Sequence, residues 1–359
     1  MRVLIFADQV GPTGGTHSAL LRILEIHQEE RIETALLVPP RAIEKTLERQ
    51  CEASGVTLYS CPDRPWAYRG MFWEYTKLLR PIREFQPDLL IVSNQVPGRG
   101  FGSFLFSIPV LFFMHTYPVT RRCVPWVPAL LTGSRKRIVT VSQYASRQIQ
   151  YKMKAPGRLV EVVSNGFVPP HEGKDVSRDR DLVLTVGHVV GYKNPDVWLD
   201  VVERVIEHRS GTRFVWLGDG ERLEQLRCEI EIRGLGDSVK LPGHSSAVGD
   251  AYERTSVYFH PSLRESQGIA LIDAMAHGVP CVASSVGGIP ESVEDGRTGY
   301  LCDPRDVAGF AERILSCLED PVLAARLGHA GRERAWQHFS PVRHRERYLE
   351  LVNEIAGVS

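Results

Sequence analysis

The sequence predicts an α/β protein with two doubly wound domains, each built on a parallel sheet. Two series of short apolar runs alternate with segments of helical periodicity, and a proline-containing, charge-dense segment at residues 169–181 separates them. Continuously apolar strands between helices are typical of parallel sheets that are covered on both faces. The length of 359 residues, 43% hydrophobic and 24% charged, suits two globular domains, predicted at residues 1–170 and 171–342.

The first domain is predicted to begin with a strand at residues 3–7, which a glycine-rich turn at residues 11–16 follows. The next segment has apolar residues on one helical face, and Thr16 is the predicted N-cap of that helix. Another helix is expected from about Ser142. Further strands are predicted at residues 35–38, 89–92, 110–114 and 138–141.

The second domain repeats this alternation. Strands are predicted at residues 182–186, 212–217, 256–260 and 280–283. One helix is predicted between about Gln267 and Gly278, because glycine suits the position that follows a helix. In open parallel sheets the ligand binds outside the carboxyl ends of the strands, so the expected site is a cleft between the two domains.

Composition and the cysteine pattern exclude several protein classes. The longest uncharged apolar stretch, Phe101–Met114, is shorter than the ~20 residues that cross a bilayer. The apolar segment at the N-terminus reaches Asp8 after too few residues to be a signal peptide. The seven cysteines are scattered and form no CxxC pair, which predicts free thiols in a reducing cytoplasm.

Charge is unevenly distributed although the net charge is zero. Residues 1–170 hold 21 Lys and Arg against 13 Asp and Glu, and the remainder holds 22 against 30. The stretch from Leu89 to Val160 contains ten basic residues and no acidic residue. It favours an anionic partner, such as an anionic glycan, a lipid-phosphate acceptor or the inner membrane face, unless these cations face the acidic second domain. No nucleic-acid motif accompanies the basic residues 135–137, so nucleic acid is not an expected partner.

The most informative segment surrounds Glu265, in a polar loop between a strand that ends near His260 and the helix predicted to follow. Backbone N–H groups at a helix N-terminus and the helix dipole favour an anion at this position. Asp273 lies inside the helix, eight positions after Glu265. Taken alone, the two acids fit a surface carboxylate and an ordinary helical aspartate better than a binding site.

The residues around the two acids resemble the carboxylate signature of family 4 glycosyltransferases. That signature is Glu, seven residues and Glu, followed by Ala-Met-Ala and Gly-x-Pro-x-Val-Ala. Glu265 matches the first acid, Asp273 takes the place of the second, and residues 274–276 and 278–283 match the rest. Residues 287–301 resemble the family's Gly-Gly-x-Pro-Glu loop and Asp-Gly-x-Thr-Gly turn. The resemblance covers essentially the whole second domain.

The resemblance implies the GT-B fold, with two Rossmann-like domains, and a retaining, metal-independent transferase. Such an enzyme moves a sugar from a nucleotide diphosphate sugar, its donor substrate, to a glycan, lipid or small-molecule acceptor, and no separate cofactor is implied. In this family the last helix crosses back onto the first domain, which is expected here for residues 343–359. Asp179 and Asp181 have the Asp-x-Asp form that binds a metal-diphosphate in a different glycosyltransferase fold, but their place in a charged linker argues against a metal site.

The same resemblance assigns donor-binding residues. Lys193 lies at the place of a lysine that holds the diphosphate, and His188 lies at the place of the family's arginine, where a neutral imidazole offers one donor instead of five. Residues 239–244 resemble the loop that holds the nucleobase. Glu265 would bind hydroxyl groups of the donor sugar, and Asp273 would hold the ribose hydroxyl groups. The donor-binding residues that the resemblance implies are Gly14, Gly15, His188, Lys193, Gly218, Leu241, His244, Gln267, Gly268, Ile269 and Asp273.

The implied catalytic residues are Glu265, Lys193 and His115. His115 follows the strand of residues 110–114, where the family has a histidine that lines the transferred sugar; the aspartate that often follows it is Thr116 here. Two alternatives remain open. The changes at His188 and Asp273 fit a degenerate, non-catalytic nucleotide-sugar binder. The fold also occurs in epimerases, although the order of the motifs favours a transferase.

Overall fold

The computed structural model describes residues 1–7, 14–39, 45–60, 70–94, 106–118, 135–170, 178–245 and 247–357. The chain divides into two compact units. Unit 1 consists of Met1–Ser164 together with His344–Ser359, and unit 2 consists of Asn165–Arg343.

Unit 1 is built on a parallel sheet. Its strands are β1 (Arg2–Phe6), β2 (Glu33–Val38), β3 (Thr57–Ser60), β4 (Leu89–Asn94), β5 (Val110–Met114), β6 (Lys136–Thr140) and β7 (Val160–Val162). They lie in the order β3-β2-β1-β4-β5-β6-β7, and every pair is parallel. The described α-helices that precede the second unit are α1 (Gly15–Glu29), α2 (Lys45–Ala53), α3 (Gly70–Phe85) and α4 (Gln143–Met153).

Alternate residues of β1 enter the two hydrophobic cores of unit 1. Val3 and Ile5 pack with apolar residues of α1, whereas Leu4 and Phe6 pack with residues of α3 and α4. Because successive side chains of a strand point to opposite faces, helices cover both faces of this sheet. The continuous apolar runs in the sequence have this physical cause.

Unit 2 repeats the design. Its strands are β8 (Leu182–Val186), β9 (Arg213–Leu217), β10 (Val239–Gly243), β11 (Val257–His260), β12 (Cys281–Ser284) and β13 (Tyr300–Cys302), in the order β10-β9-β8-β11-β12-β13. Its helices are α5 (Pro195–His208), α6 (Leu223–Ile232), α7 (Val248–Arg254), α8 (Ile269–Ala276), α9 (Ile289–Ser292), α10 (Val307–Glu319) and α11 (Pro321–Phe339). Phe214 packs in one core and Leu184 in the other, so this sheet is also covered on both faces. The predicted α/β fold with two doubly wound sheets is confirmed.

The C-terminal helix α12 (Pro341–Ala356) packs in unit 1. Tyr348 is buried in the core that β1 and α1 share, and its hydroxyl lies 2.6 Å from His27 Nε2. Arg135 donates to the carbonyl oxygen of Ala356 at 3.1 Å, at the end of the helix where carbonyl groups lack helical partners. The helix begins at Pro341, whose fixed φ suits the first helical position, and its residues from His344 onward belong to unit 1.

The predicted N-cap of α1 is wrong. The helix begins at Gly15, and its N-cap is Gly14 with φ 100° and ψ 175°, not Thr16. Glycine reaches this backbone conformation without the strain that a Cβ atom brings, so Thr16 is the second helical residue instead. Residues 11–13 of the predicted turn lie outside the described residues.

Two boundaries in unit 2 also differ from the sequence prediction. The helix expected to begin near Gln267 begins at Ile269, because Gly268 has φ 86° and so stands outside the helix. It ends at Ala276 with His277 as its C-cap, so Gly278, with φ 68°, follows the helix as predicted. Residues 239–243, which resemble a nucleobase-binding loop, form the edge strand β10. Its alternating buried and exposed residues give a weaker apolar run than those of the central strands.

Candidate functional site

The candidate site lies in unit 2, where two loops follow β8 and β11. These strands are parallel neighbours in the sheet, so the loops leave from the same edge. Asn194, in the first loop, donates through Nδ2 to the carbonyl oxygens of Pro261 at 3.0 Å and Pro304 at 2.8 Å. The backbone N–H of Leu263 donates to the carbonyl oxygen of Tyr192 at 2.8 Å. The bonds to Pro261 and Tyr192 hold the two loops together, and the bond to Pro304 adds the segment that follows β13.

Lys193 and Glu265, one on each loop, form a buried ion pair in which Lys193 Nζ donates to Glu265 Oε1. The two side chains are only 15% and 13% exposed. Burial acts against both charges, but the ammonium group holds the pKa of Glu265 far below its ordinary value, and the carboxylate raises the pKa of Lys193. Both groups are therefore charged at neutral pH. Removal of either one leaves the other as an unpaired buried charge.

His260 and Ser262, which the sequence analysis did not select, also hold Glu265. Both approach Glu265 Oε1: His260 Nε2 at 3.1 Å and the Ser262 hydroxyl at 3.4 Å. The Tyr258 hydroxyl lies 3.1 Å from His260 Nδ1. Burial, and then the charge of Lys193, lower the pKa of His260, so we assign a neutral imidazole that donates from Nε2 to Glu265 and accepts at Nδ1 from Tyr258. The sequence could have indicated His260 and Ser262 only through their position at the end of a predicted strand.

The backbone of Glu265 rests against a glycine loop. The N–H of Gly288 donates to the carbonyl oxygen of Glu265 at 3.1 Å. Gly287 has φ 61°, and a Cβ atom there would overlap the same carbonyl oxygen. Glycine is therefore required at residue 287 for the backbone of Glu265 to keep its place.

Family models match both halves of the chain. The model described as Glycosyltransferase Family 4 matches residues 13–169, and the model described as Glycosyl transferases group 1 matches residues 171–334. Glycogen synthase from Mycobacterium tuberculosis is 30% identical over 282 residues, which cover 73% of this chain and 68% of that protein. This chain belongs to glycosyltransferase family 4.

Further comparisons concern coverage and fold. D-inositol 3-phosphate glycosyltransferase from Streptomyces avermitilis is 28% identical over 57% of this chain and 49% of that protein. The matched part thus spans about half the length of such relatives or less. The crystal structure of HepE from Anabaena in complex with UDP and glucose has a TM-score of 0.81 and 20% identity, and the match covers 98% of this chain and 99% of that chain. This likeness confirms the predicted GT-B fold.

His188 lies where the resemblance to family 4 implies an arginine. Burial lowers the pKa of His188, and the charge of Lys193 lowers it further, whereas Asp219 opposes the shift. The imidazole is therefore neutral at neutral pH, as the sequence analysis assumed. The backbone N–H of His244 donates to Asp219 Oδ1 at 3.1 Å, which places a second predicted donor-binding residue beside the same aspartate.

Gly218 directly follows β9, and Leu241 lies in the edge strand β10, which pairs with β9. Gly218 has φ 152°, and a Cβ atom there would overlap the carbonyl oxygen of Gly187, so this glycine lets the loops after β8 and β9 meet. Leu241 is buried in β10, and its carbonyl oxygen accepts a hydrogen bond from Arg227 at 2.7 Å. The structure thus uses both residues to shape the edge of the sheet.

Gln267 and Asp273, predicted to bind the donor, hold protein groups in unit 2. Gln267 is 3% exposed, and its Oε1 accepts from the backbone N–H and the side-chain amide of Asn165 at 2.9 and 2.8 Å. Asp273 Oδ1 accepts from the N–H of Val168 at 2.9 Å. These bonds fix residues 165–168 against α8, a role that the sequence did not indicate. The other two predicted residues here are the N-cap of α8, Gly268, and its first residue, Ile269.

The predicted site residues of unit 1 lie at the ends of β5 and β1. His115 follows β5, and its Nε2 lies 3.2 Å from the Ser93 hydroxyl oxygen. His115 Nδ1 is buried without a hydrogen-bond partner among the described residues. Burial lowers the pKa of His115 to about 4, and His344 contributes to the shift, so the imidazole is neutral. Gly14 and Gly15 open the N-terminus of α1.

The Asp-x-Asp sequence is engaged in ion pairs. Asp179 pairs with Arg213, and Asp181 accepts from Arg209 Nε at 2.9 Å and Nη2 at 2.7 Å. Within the ranges that the structure describes, no group of three or more His, Cys, Asp or Glu residues could hold a metal ion. Residues 171–177 of the predicted linker lie outside those ranges.

The basic stretch from Leu89 to Val160 divides into groups. Three of its cations lie outside the described residues, namely Arg99, Arg121 and Arg122. Arg137 lies 3.8 Å from Glu354 of α12, close to the contact of Arg135 with the end of that helix. The cations exposed on α4 and just after it are Arg147, Lys154 and Arg158. In the described part of the chain, no helix is both long and apolar enough to cross a membrane.

Proposed function

We propose that this chain is a retaining, metal-independent glycosyltransferase that moves a sugar from a nucleoside diphosphate sugar to an acceptor. The buried pair of Lys193 and Glu265 is the observation that carries the proposal. It puts a cation beside a carboxylate in loops that follow two parallel strands, where α/β proteins bind ligands. Membership of family 4 and the structural likeness to HepE, which was solved with UDP and glucose, support this donor class.

In the proposed reaction, the bond between the sugar and the diphosphate breaks, and negative charge grows on the leaving oxygen. Lys193 and the backbone N–H groups at the N-terminus of α8 stabilise that charge. Glu265, held by His260 and Ser262, accepts hydrogen bonds from hydroxyl groups of the donor sugar and orients its ring. The acceptor attacks from the face that the diphosphate leaves, and the diphosphate takes the acceptor proton. The configuration at the sugar carbon is therefore retained without a protein nucleophile.

His115 is assigned to the transferred sugar in this proposal. Its Nδ1 is a buried polar atom that has no partner among the described residues, and such an atom costs free energy until it makes a hydrogen bond. A sugar hydroxyl group supplies the missing partner. Replacement of His115 by alanine is therefore expected to lower turnover while the protein stays folded.

The direct test is hydrolysis and transfer with a panel of UDP-, GDP- and ADP-sugars. Glu265→Gln is expected to lower turnover at saturating donor by about 100-fold or more, the size of effect seen when one preorganised polar contact of a transition state is removed. Glu207→Gln, on the exposed side of α5, is the matched control and is expected to keep wild-type turnover. Circular dichroism reports whether both variants are folded. Wild-type turnover in Glu265→Gln would remove Glu265 from the reaction.

A non-catalytic nucleotide-sugar binder is the second candidate function. Two observations favour it: His188 is neutral, and Asp273 accepts a hydrogen bond from the backbone N–H of Val168. Binding of a nucleoside diphosphate, with neither hydrolysis nor transfer for any donor in the panel, would select this function over the enzyme.

We infer that unit 1 takes an anionic acceptor or contacts an anionic membrane at the cytoplasmic face. The exposed cations Arg147, Lys154 and Arg158 support this inference, because exposed positive charge attracts anions. Residues 135–137 suit the test less well, since Arg135 and Arg137 support α12. Co-sedimentation with anionic liposomes at low and high salt should therefore compare the wild type with a variant in which Arg147, Lys154 and Arg158 are glutamine. Absence of wild-type binding at low salt would rule out the membrane and leave either a soluble acceptor or the alternative that these cations face the acidic second domain.

A further inference from the structure

Two cationic side chains lie against the aromatic ring of Tyr192, beside the buried ion pair. Lys193 Nζ is 5.6 Å from the ring centroid, and the guanidinium carbon of Arg264 is 4.8 Å from it. Cations at these distances are attracted to the face of an aromatic ring. The bond from the N–H of Leu263 to the carbonyl oxygen of Tyr192 joins the two backbone segments that carry this cluster.

Arg264 contributes positive charge that the described carboxylates leave uncompensated. Lys193 is paired with Glu265, whereas none of the ion pairs in the described residues includes Arg264, although it precedes Glu265 in the chain. The Arg264 side chain is exposed, and a guanidinium group is charged at any physiological pH. When a guanidinium group stacks on a ring, its N–H groups point outward along its edge, which suits oxyanions.

The charge of the expected donor exceeds what the buried pair can neutralise. A nucleoside diphosphate sugar brings two negatively charged phosphate groups. Lys193 and Glu265 together carry no net charge, burial keeps His188 neutral, and Asp219 adds negative charge near His188. A further cation is needed, and Arg264 stands on the same ring as Lys193.

We propose that Arg264, stacked on Tyr192, binds the diphosphate of the donor together with Lys193. The inference rests on the proposed function and names a second cation for it. The oxyanions of a diphosphate sit on two adjacent phosphorus atoms, so one diphosphate accepts charge-assisted hydrogen bonds from both cations. Tyr192 is 37% exposed, and its ring contacts both Arg264 and Lys193 before the donor arrives.

The test is calorimetric titration of UDP, GDP and ADP, and of the matching nucleosides, into the full chain. Arg264→Gln is expected to weaken the preferred diphosphate by about 10-fold or more, the effect of losing a hydrogen bond to a charged group, and to leave the nucleoside unchanged. Arg264→Lys should recover part of the loss, because lysine keeps the charge but not the planar fork. Tyr192→Leu should weaken diphosphate binding more than Tyr192→Phe, which keeps the ring.

The matched control is Arg204→Gln, an exposed arginine about 14 Å along α5 from its first residue, which removes the same formal charge far from the ring. It is expected to bind the diphosphate as the wild type does. If Arg264→Gln also binds with wild-type affinity while Lys193→Gln binds weakly, Arg264 is not a diphosphate ligand and the proposed function stands. If the wild type binds none of the diphosphates and hydrolyses no nucleotide sugar, the proposed function and this inference both fail.

Discussion

Replacement of Gly287 by alanine is expected to destabilise unit 2 and to displace Glu265. The left-handed backbone at φ 61° costs an alanine about 1–2 kcal/mol. The new Cβ atom also overlaps the carbonyl oxygen of Glu265, so the backbone there must move and its hydrogen bond from Gly288 weakens or breaks, at a further cost of about 1–3 kcal/mol. The total loss is therefore about 2–5 kcal/mol.

Gly296→Ala separates the two contributions. Gly296 has φ 71°, but a Cβ atom there meets nothing within 4 Å, so this variant pays the backbone cost alone. For a domain of this size, about 1 kcal/mol corresponds to roughly 2–4 °C in melting temperature. Scanning calorimetry should show a larger fall for Gly287→Ala than for Gly296→Ala, and donor hydrolysis should fall in Gly287→Ala only. Equal melting temperatures, or wild-type hydrolysis in both variants, would refute the conclusion that Gly287 keeps the backbone of Glu265 in place.

Three further predictions concern metal, pH and packing. Activity should survive excess EDTA, because Asp179 and Asp181 are engaged by arginines; loss of activity that Mn²⁺ or Mg²⁺ restores would contradict this. Burial lowers the pKa of His27 to about 4, so between about pH 6.5 and 4 the unfolded chain binds a proton that the folded chain excludes. The free energy of unfolding should therefore fall by up to about 3 kcal/mol as the pH drops through this window. A series of melting curves in which His27→Gln shows the same pH dependence as the wild type would disprove this prediction. Trp198→Ala should cost about 3–5 kcal/mol in denaturant unfolding, since Trp198 is fully buried, whereas Ile232→Ala, at an 84% exposed residue, should cost little.

Local patterns in the sequence identified the central strands of the two sheets but missed the edge strands. The runs that became β1, β4, β5 and β11 are continuously apolar because helices cover both faces of each sheet. The edge strand β10 alternates buried and exposed residues, and β13 has only three residues, so neither carries that signal. The prediction of Thr16 as the N-cap was wrong for a related reason. It relied on the preference of threonine for the N-cap position, whereas the helix starts where the backbone of Gly14 takes a conformation that favours glycine.

The sequence by itself determined the fold class, the family and the place of Glu265 in a loop before a helix, because these depend on residue types at short spacing. Only the tertiary structure decided which groups meet there. Lys193 and Glu265 are 72 residues apart, and they pair because β8 and β11 are neighbours in the sheet. The same strand order places Arg264 on the ring of Tyr192. Such contacts depend on sheet order and on the loops that leave one edge, and no periodicity along the chain records them.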